Sequence, residues 1–319
     1  MELSFYSKYP FTKGAKELMN SAKISDEFKL TELAGKRVVN AIRDGKIPMA
    51  SIELEDSQLL LQIASYAVSR MIVTLLKSRY YINRYAVAEA KRANAYMTSD
   101  NDENALQIAR ELGIKCDIDG RYAVEFEDYL RYAPKSSDYK LVNRKLVRGK
   151  VRLKRAEFIR MLEEAVRLKI ESELPLKMEG APERIKNAAE AVKKDIPKEP
   201  KPASISLEGG EFPPCISKLL ENLKTVENLG HTARWVLAVY LLNVGMKLDD
   251  VVKVFSTSPD FDERVTRYQI EHAIKRGYKV PSCASFDSYG LCVANCGVRS
   301  PLGYRRRVFG KPAAEDKQS

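Results

Sequence analysis

The chain is poor in histidine and tryptophan, with two His and one Trp among 319 residues. It has no H-E-x-x-H string, which excludes that zinc-protease arrangement. It has no G-x4-G-K-[S/T] string either, which excludes a Walker-type phosphate loop. The opening residues, MELSFYSKYPF, lack a basic start followed by an apolar run, so no secretory signal is expected. Long apolar runs are also scarce. The most apolar stretch, Leu59 to Leu76, contains Gln62 and Arg70 and meets Lys77. A central Arg penalises an isolated span of about 20 residues, so a buried helix is expected there and no membrane association. Without an export signal, a cytoplasmic, reducing location follows. The five cysteines then read as candidate metal or cluster ligands rather than disulfides.

What is present is a balanced, basic composition. The chain is 45% hydrophobic and 30% charged, which excludes a disordered, collagen-like or fibrous protein. Its 54 Lys and Arg outnumber 43 Asp and Glu, for a net charge of +11. Such an excess points to a polyanionic partner, nucleic acid first; the plainer reading is a basic protein that binds nothing through its charge. The length suggests two domains.

One linker stands out. From Ala181 to Gly210, Pro197, Pro200 and Pro202 interrupt a Lys/Glu-rich stretch that Gly209-Gly210 closes, which predicts extended chain. The domains are therefore drawn at 1–195 and 211–311, with a linker over 196–210 and a tail over 312–319. The first domain reads as helical to about Gly113, with Ser57 expected to cap the apolar helix. An insert over about 114–155 breaks the pattern. Cys116 to Val124 reads as two strands turning at Asp119-Gly120, and Lys140 to Leu153 as a second pair bent at Gly149. Helix resumes at Ala156, with Phe158, Ile159, Leu162, Val166 and Ile170 on one face. The second domain reads as almost all helical until Gly277, then as irregular chain. The fold class is therefore mainly α: a helical N-terminal domain with a small α/β insert, a linker and an all-α C-terminal domain.

Cys215, Cys283, Cys292 and Cys296 all follow the linker, the last three spaced C-x8-C-x3-C. Four thiolates with one distant member can close a site that clips the C-terminal loops onto the first helix. Both structural zinc and iron–sulfur clusters accept four Cys, and the spacing does not separate them. Unligated thiols are the plainer reading, but three Cys within 14 residues of weakly apolar loop make poor core. Cys116 stands apart as structural.

Two further constellations lie in this half. Gly230 precedes a helix whose first turn carries His231 and Arg234. Cations there oppose the helix dipole, yet free N–H groups, imidazole and guanidinium together attract a phosphate. The plainer reading is an Arg paired with an acid such as Glu227. Arg264, Tyr268, His272 and Lys275 recur along one helix face, which suits a nucleic-acid strand through stacking and phosphate contacts. A solvated basic face, with Arg267–Glu271 as a surface pair, is the alternative. The basic tail from Arg299 through Arg305, Arg306 and Arg307 to Lys311 reads equally as DNA-steering or as solvated charge. Three D-x-D strings, at Asp100, Asp117 and Asp260, read as a cap, a turn and a loop rather than as metal-binding catalytic acids. The segment Lys140 to Arg155 has eight cations and no acid, and fits a nucleic-acid contact, an acidic partner or a sheet with one wet face.

Together, Phe212-Pro213-Pro214-Cys215, Asn228-Leu229-Gly230-His231, Arg234, Arg267 to His272, Pro281-Ser282-Cys283 and Gly290-Leu291-Cys292 resemble the large subunit of archaeal and eukaryotic DNA primase. Tyr9-Pro10-Phe11, Arg79 to Ala86, Lys140 to Arg144 and Gly149-Lys150-Val151 extend the resemblance over nearly the whole chain, and the short length looks archaeal. The resemblance implies a noncatalytic, regulatory subunit that holds the small catalytic subunit through its N-terminal domain. It implies a [4Fe–4S] cluster on Cys215, Cys283, Cys292 and Cys296, and a C-terminal domain needed to start RNA primers at the replication fork. By the same resemblance, His231 and Arg234 face the initiating nucleoside triphosphate. Single-stranded DNA template and the primer 5′ end are the expected nucleic-acid partners. Two other readings compete: a zinc-stapled nucleic-acid-binding protein and a cluster-bearing DNA-processing enzyme.

Overall fold

A computed structural model describes residues 2–22, 26–50, 54–135, 137–201, 211–225 and 229–308. Most of the expected linker (202–210), Glu227 and the tail from 309, with Lys311, lie outside the described residues. So do the side chains of Arg305, Arg306 and Arg307. The chain divides into two units, the first running to Glu199 apart from the short segment 135–137, the second from Pro200.

The first unit begins with six helices: α1 (Glu2–Lys8), α2 (Lys13–Ser21), α3 (Glu27–Val39), α4 (Asp56–Leu75), α5 (Arg79–Ser99) and α6 (Asp102–Glu111). Polar side chains start several of them. Asp26 accepts the Lys29 N–H at 2.8 Å, Ser78 the Tyr81 N–H at 3.3 Å and Asn101 the Asn104 N–H at 2.9 Å. The apolar helix α4 is capped by Glu55, not Ser57: the Glu55 N–H donates to Gln58 Oε1 at 3.2 Å and its carbonyl accepts from Leu59. By length and composition α4 could cross a bilayer. It packs instead against α1, α3 and α9 (Glu183–Asp195), buries Ile63, Tyr66, Ile72 and Val73, and joins Arg70 to Glu173 at 2.8 Å.

The insert holds β1 (Cys116–Asp119), β2 (Arg121–Glu125), α7 (Phe126–Tyr132), β3 (Leu146–Val147) and β4 (Lys150–Leu153). They form one antiparallel sheet in the order β1-β2-β4-β3, with Tyr122 opposite Leu153 and Val124 opposite Val151. Gly120 makes the first turn at φ 65°, and Arg148-Gly149 make the second at φ 50° and 77°, the left-handed pair that a tight hairpin needs. The strand expected from Lys140 begins only at Leu146; Leu141–Asn143 is a single 3-10 turn. The sheet docks through Tyr122, stacked on Phe158 of α8 (Arg155–Glu173) with ring centroids 4.2 Å apart. The apolar face expected of α8 is buried, and α8 pairs with α5 at the centre of the unit.

The extended chain expected from Ala181 is in fact helical at its start. In α9, Ile185, Ala189 and Val192 recur at i, i+4 and i+7 and are buried against the unit's core. The prolines lie beyond its last residue. Beneath this surface is an ionic core. Arg37, 4% exposed, donates Nε and Nη2 to Glu89 Oε1 and Oε2 at 2.5 and 2.8 Å. Burial alone would raise the Glu89 pKa, but the Arg37 charge and hydrogen bonds hold it below its ordinary value.

The second unit contains α10 (Pro214–Lys224), α11 (His231–Asn243), α12 (Leu248–Val254), α13 (Glu263–Arg276), α14 (Cys283–Ser288) and α15 (Pro301–Val308). Leu219, Val236, Leu237, Tyr240, Val251 and Ile270 form its core. Gly277, at φ 61°, ends α13. The chain beyond it is less irregular than expected, since α14 and α15 fold there, α14 capped by Ser282. Phe286 is its fully buried anchor.

Candidate four-thiol cavity and phosphate pocket

Cys215 enters at the start of α10, where Pro213 and Pro214 set the helix entry. Cys283 opens α14, and its N–H donates to the Arg299 carbonyl at 2.9 Å, which ties the two ends of the cysteine loop together. Cys292 and Cys296 follow, both thiols 3.5 Å from the Ala294 carbonyl. All four line one cavity of about 410 Å³, together with Phe286, Asp287, Asn295 and Tyr304. Burial pushes the Cys215 thiol up to about 11, with Cys283 and Cys296 adding to the shift. Cys283 is raised too, by burial first and then by Cys292 and Cys296. Such thiols need a metal to draw off their protons before they become ligands.

The space between the thiols bears on what they suit. Among the described residues, no group of three or more His, Cys, Asp or Glu side chains is arranged to hold a metal ion. A lone zinc would hold every sulfur about 2.3 Å from one point. A four-iron cluster takes one thiolate on each iron, so its sulfurs stand apart around a bulky core. Four cysteine thiols lining one cavity are a donor set that structural zinc and an iron–sulfur cluster both accept. Cys116 is remote in sequence, on β1, and burial pushes its thiol up to about 11.

His231 and Arg234 occupy the first turn of α11, as expected, and both line a second pocket with Trp235, Ser258, Phe261 and Gln269. Arg234 is not a free cation. Its Nε donates to the Leu229 carbonyl at 2.8 Å, and its Nη2 to both Asp260 oxygens at 2.7 and 2.8 Å. The acid partner is thus Asp260. This pairing orients the guanidinium at the helix end, where N–H groups and dipole favour an anion. Asp262, two residues on, caps α13 by accepting the Val265 N–H at 3.0 Å.

The four residues chosen on α13 share a solvent face. Tyr268 is 68% exposed, and Arg264, His272 and Lys275 are exposed beside it. The His272 ring lies 6.2 Å from that of Tyr278. Ile270 and Ala273 turn inward, while Ile274 remains half exposed. Arg267 pairs with Asp249 at 2.7 Å and Glu263 at 3.4 Å, not with Glu271.

The basic segment of the insert is largely spoken for. Arg144 reaches Glu157 at 2.6 Å, Lys150 binds Asp117, and Arg155 binds Asp102 at 2.8 Å. Lys140 and Arg152 are also engaged. The insert exposes apolar side chains, Val142 at 86% with Leu130, Leu146 and Phe126, alongside the exposed Lys145, Arg148 and Lys154. Sequence reading missed Ser258 and Gln269 as pocket residues and Asp260 as the partner of Arg234. Ser258 and Asp260 share one short segment and Gln269 lies on α13, and only the fold brings them to α11.

The fold and site define a mainly helical protein carrying a four-thiol site. A family model described as the C-terminal domain of the large subunit of eukaryotic and archaeal DNA primase matches residues 205–304. A DNA primase large subunit from Methanosarcina acetivorans is 34% identical over 98% of this chain and 90% of its own length. One from Methanococcoides burtonii is 33% identical over 95% and 92%, and one from Halobacterium salinarum 28% identical over 94% and 92%. The chain belongs to the large-subunit family of archaeal and eukaryotic DNA primase.

Proposed function

We propose that this chain is the regulatory, noncatalytic large subunit of a DNA primase, acting on RNA primer synthesis at the cytoplasmic replication fork. The observation that carries the reading is its likeness, across both units, to proteins named as primase large subunits. The acids support a role without catalysis of its own. Asp100 accepts from Lys8, Tyr9 and Asn104, Asp102 binds Arg155, Asp117 binds Lys150 and Asp260 binds Arg234. Each is committed to a structural partner rather than grouped for two metal ions.

In this reading the first unit docks the small catalytic subunit. The exposed Phe126, Leu130, Val142 and Leu146 of the insert supply apolar contact area of the kind that partners cover. The second unit serves initiation. Cys215, Cys283, Cys292 and Cys296 would hold a [4Fe–4S] cluster, which would staple the segment after Gly277 to α10. His231 and Arg234 take the triphosphate of the first nucleotide, which becomes the primer 5′ end. Tyr268 stacks a base of the single-stranded template, with Arg264, His272 and Lys275 on phosphates. Because only the 5′ nucleotide keeps a triphosphate, this site acts on starting a primer and not on extending it.

The test is reconstitution with the catalytic subunit. The chain alone should synthesise no primer, should co-purify with the small subunit, and should raise de novo initiation when added to it. Anaerobically purified protein should be brown and contain iron. Colourless, zinc-loaded protein would replace the cluster by a zinc staple, and template-dependent synthesis by the lone chain would overturn the noncatalytic assignment.

A further inference from the structure

We propose that the pocket beside Arg234 senses ribose: Ser258 binds the 2′-hydroxyl of a ribonucleotide whose phosphates rest at His231 and Arg234. The inference depends on the phosphate reading above and adds the sugar to it.

Its starting point is a buried hydroxyl without a partner. Ser258 is 1% exposed, and its Oγ makes no hydrogen bond. Folded proteins rarely leave such a group unpaired, because its lost hydration goes uncompensated. Ser258 follows the short helical turn Phe255–Thr257 and lines the same pocket as His231 and Arg234. Trp235, Phe255 and Phe261 form apolar and aromatic walls, to which Thr266 adds a hydroxyl and Gln269 an amide. A buried, unpaired hydroxyl in a partly aromatic pocket with a few polar groups is the pattern of a site waiting for a ligand group.

Size and chemistry narrow that group. The pocket's volume is about 60 Å³. An engineered cavity that accepts benzene is about 150 Å³, so a whole base ring does not enter. The edge of a sugar does. A ligand here must also present an anion to the end of α11. A nucleotide carries phosphate and sugar hydroxyl close together on one rigid unit. The 2′-hydroxyl both donates and accepts, as does a serine hydroxyl, and it is the group by which a protein tells RNA from DNA. A deoxynucleotide would leave Ser258 buried and unpaired, and a site built around a hydroxyl discriminates against a ligand that lacks it.

The chain contains its own reporter. Trp235 is the only tryptophan and lines the pocket, so its fluorescence follows occupancy in the full-length protein. ATP, 2′-deoxy-ATP and tripolyphosphate are the three probes. ATP is expected to bind about three- to tenfold more tightly than 2′-deoxy-ATP, the worth of one hydrogen bond. Ser258→Ala should abolish that preference and leave tripolyphosphate binding unchanged. Its melting temperature should be unchanged or raised, since an unpaired hydroxyl is removed. A Ser258→Ala protein that still prefers ATP overturns the proposal. So does one that weakens ATP and tripolyphosphate alike, because Ser258 would then only shape the pocket. Absent tripolyphosphate binding with the ATP preference intact would instead fault the phosphate site and leave the sugar contact standing.

Discussion

The two units spend their polar groups differently. In the first, the notable charges are turned inward and satisfied: Arg37 clasps Glu89, and Asp100 gathers Lys8, Tyr9 and Asn104. In the second, thiols line an open cavity and cations line an exposed helix; unpaired buried polar atoms occur in both units, at Arg92 Nε and Nη1 in the first and Ser258 Oγ in the second. The segment after Gly277 is anchored by few buried side chains, chiefly Phe286. In the proposed reading, the first unit holds the partner and the second takes the ligands and the cluster.

The largest expected effect breaks the second unit alone. Cys292→Ser should remove the iron of the proposed cluster and depress initiation by at least the roughly 10- to 100-fold typical of losing even an outer partner of a metal ligand. Co-purification with the catalytic subunit should survive, because the first unit is untouched. Iron content, visible absorbance and pull-down read the three quantities; a variant that lost the partner along with the iron would dissolve the contrast.

The converse experiment breaks the first unit alone. Arg37→Ala leaves the Glu89 carboxylate buried without its partner, a loss of about 3–5 kcal/mol. Circular dichroism should show part of the helix melting at lower denaturant. Trp235 fluorescence, which reports the second unit, should keep its midpoint. A joint shift would mean that the units unfold as one.

Smaller effects sharpen the account of the second unit. Tyr268→Ala should weaken single-stranded DNA binding by about 1–3 kcal/mol, the worth of one stacked base, with iron content unchanged. Asp260→Asn should release the Arg234 charge and tighten tripolyphosphate binding by about two- to fivefold, as suits a partly exposed ion pair. Weaker binding would show that Asp260 is needed to hold Arg234 in place.

The same comparison explains what could be read before the fold was known. Amphipathic helices such as α8 and α13, and the Asp119-Gly120 turn, follow from local periodicity and turn chemistry, so they were legible. The four cysteines were legible as a group because the residue type is rare. Helix α9 was hidden: charged residues surround its apolar face, and the nearby prolines suggested extended chain, although they all lie past its end. The strand expected at Lys140 starts late because Leu141–Asn143 closes a 3-10 turn first. Ion pairs between distant segments carry no local signal at all. Arg37–Glu89 and Arg234–Asp260 exist only because the fold brings helices and loops together, so Arg234 at the start of α11 was legible while its partner Asp260 was not.

The most direct measurement compares initiation with extension in the reconstituted complex carrying Arg234→Ala. Losing an arginine–phosphate contact costs about 1.5–3 kcal/mol, or roughly 10- to 100-fold in dinucleotide formation at subsaturating nucleotide. Extension of a preformed primer without a 5′ triphosphate should be nearly unchanged, and iron content should match that of the unaltered chain. Equal losses in initiation and extension would contradict the account and reduce Arg234 to the structural partner of Asp260.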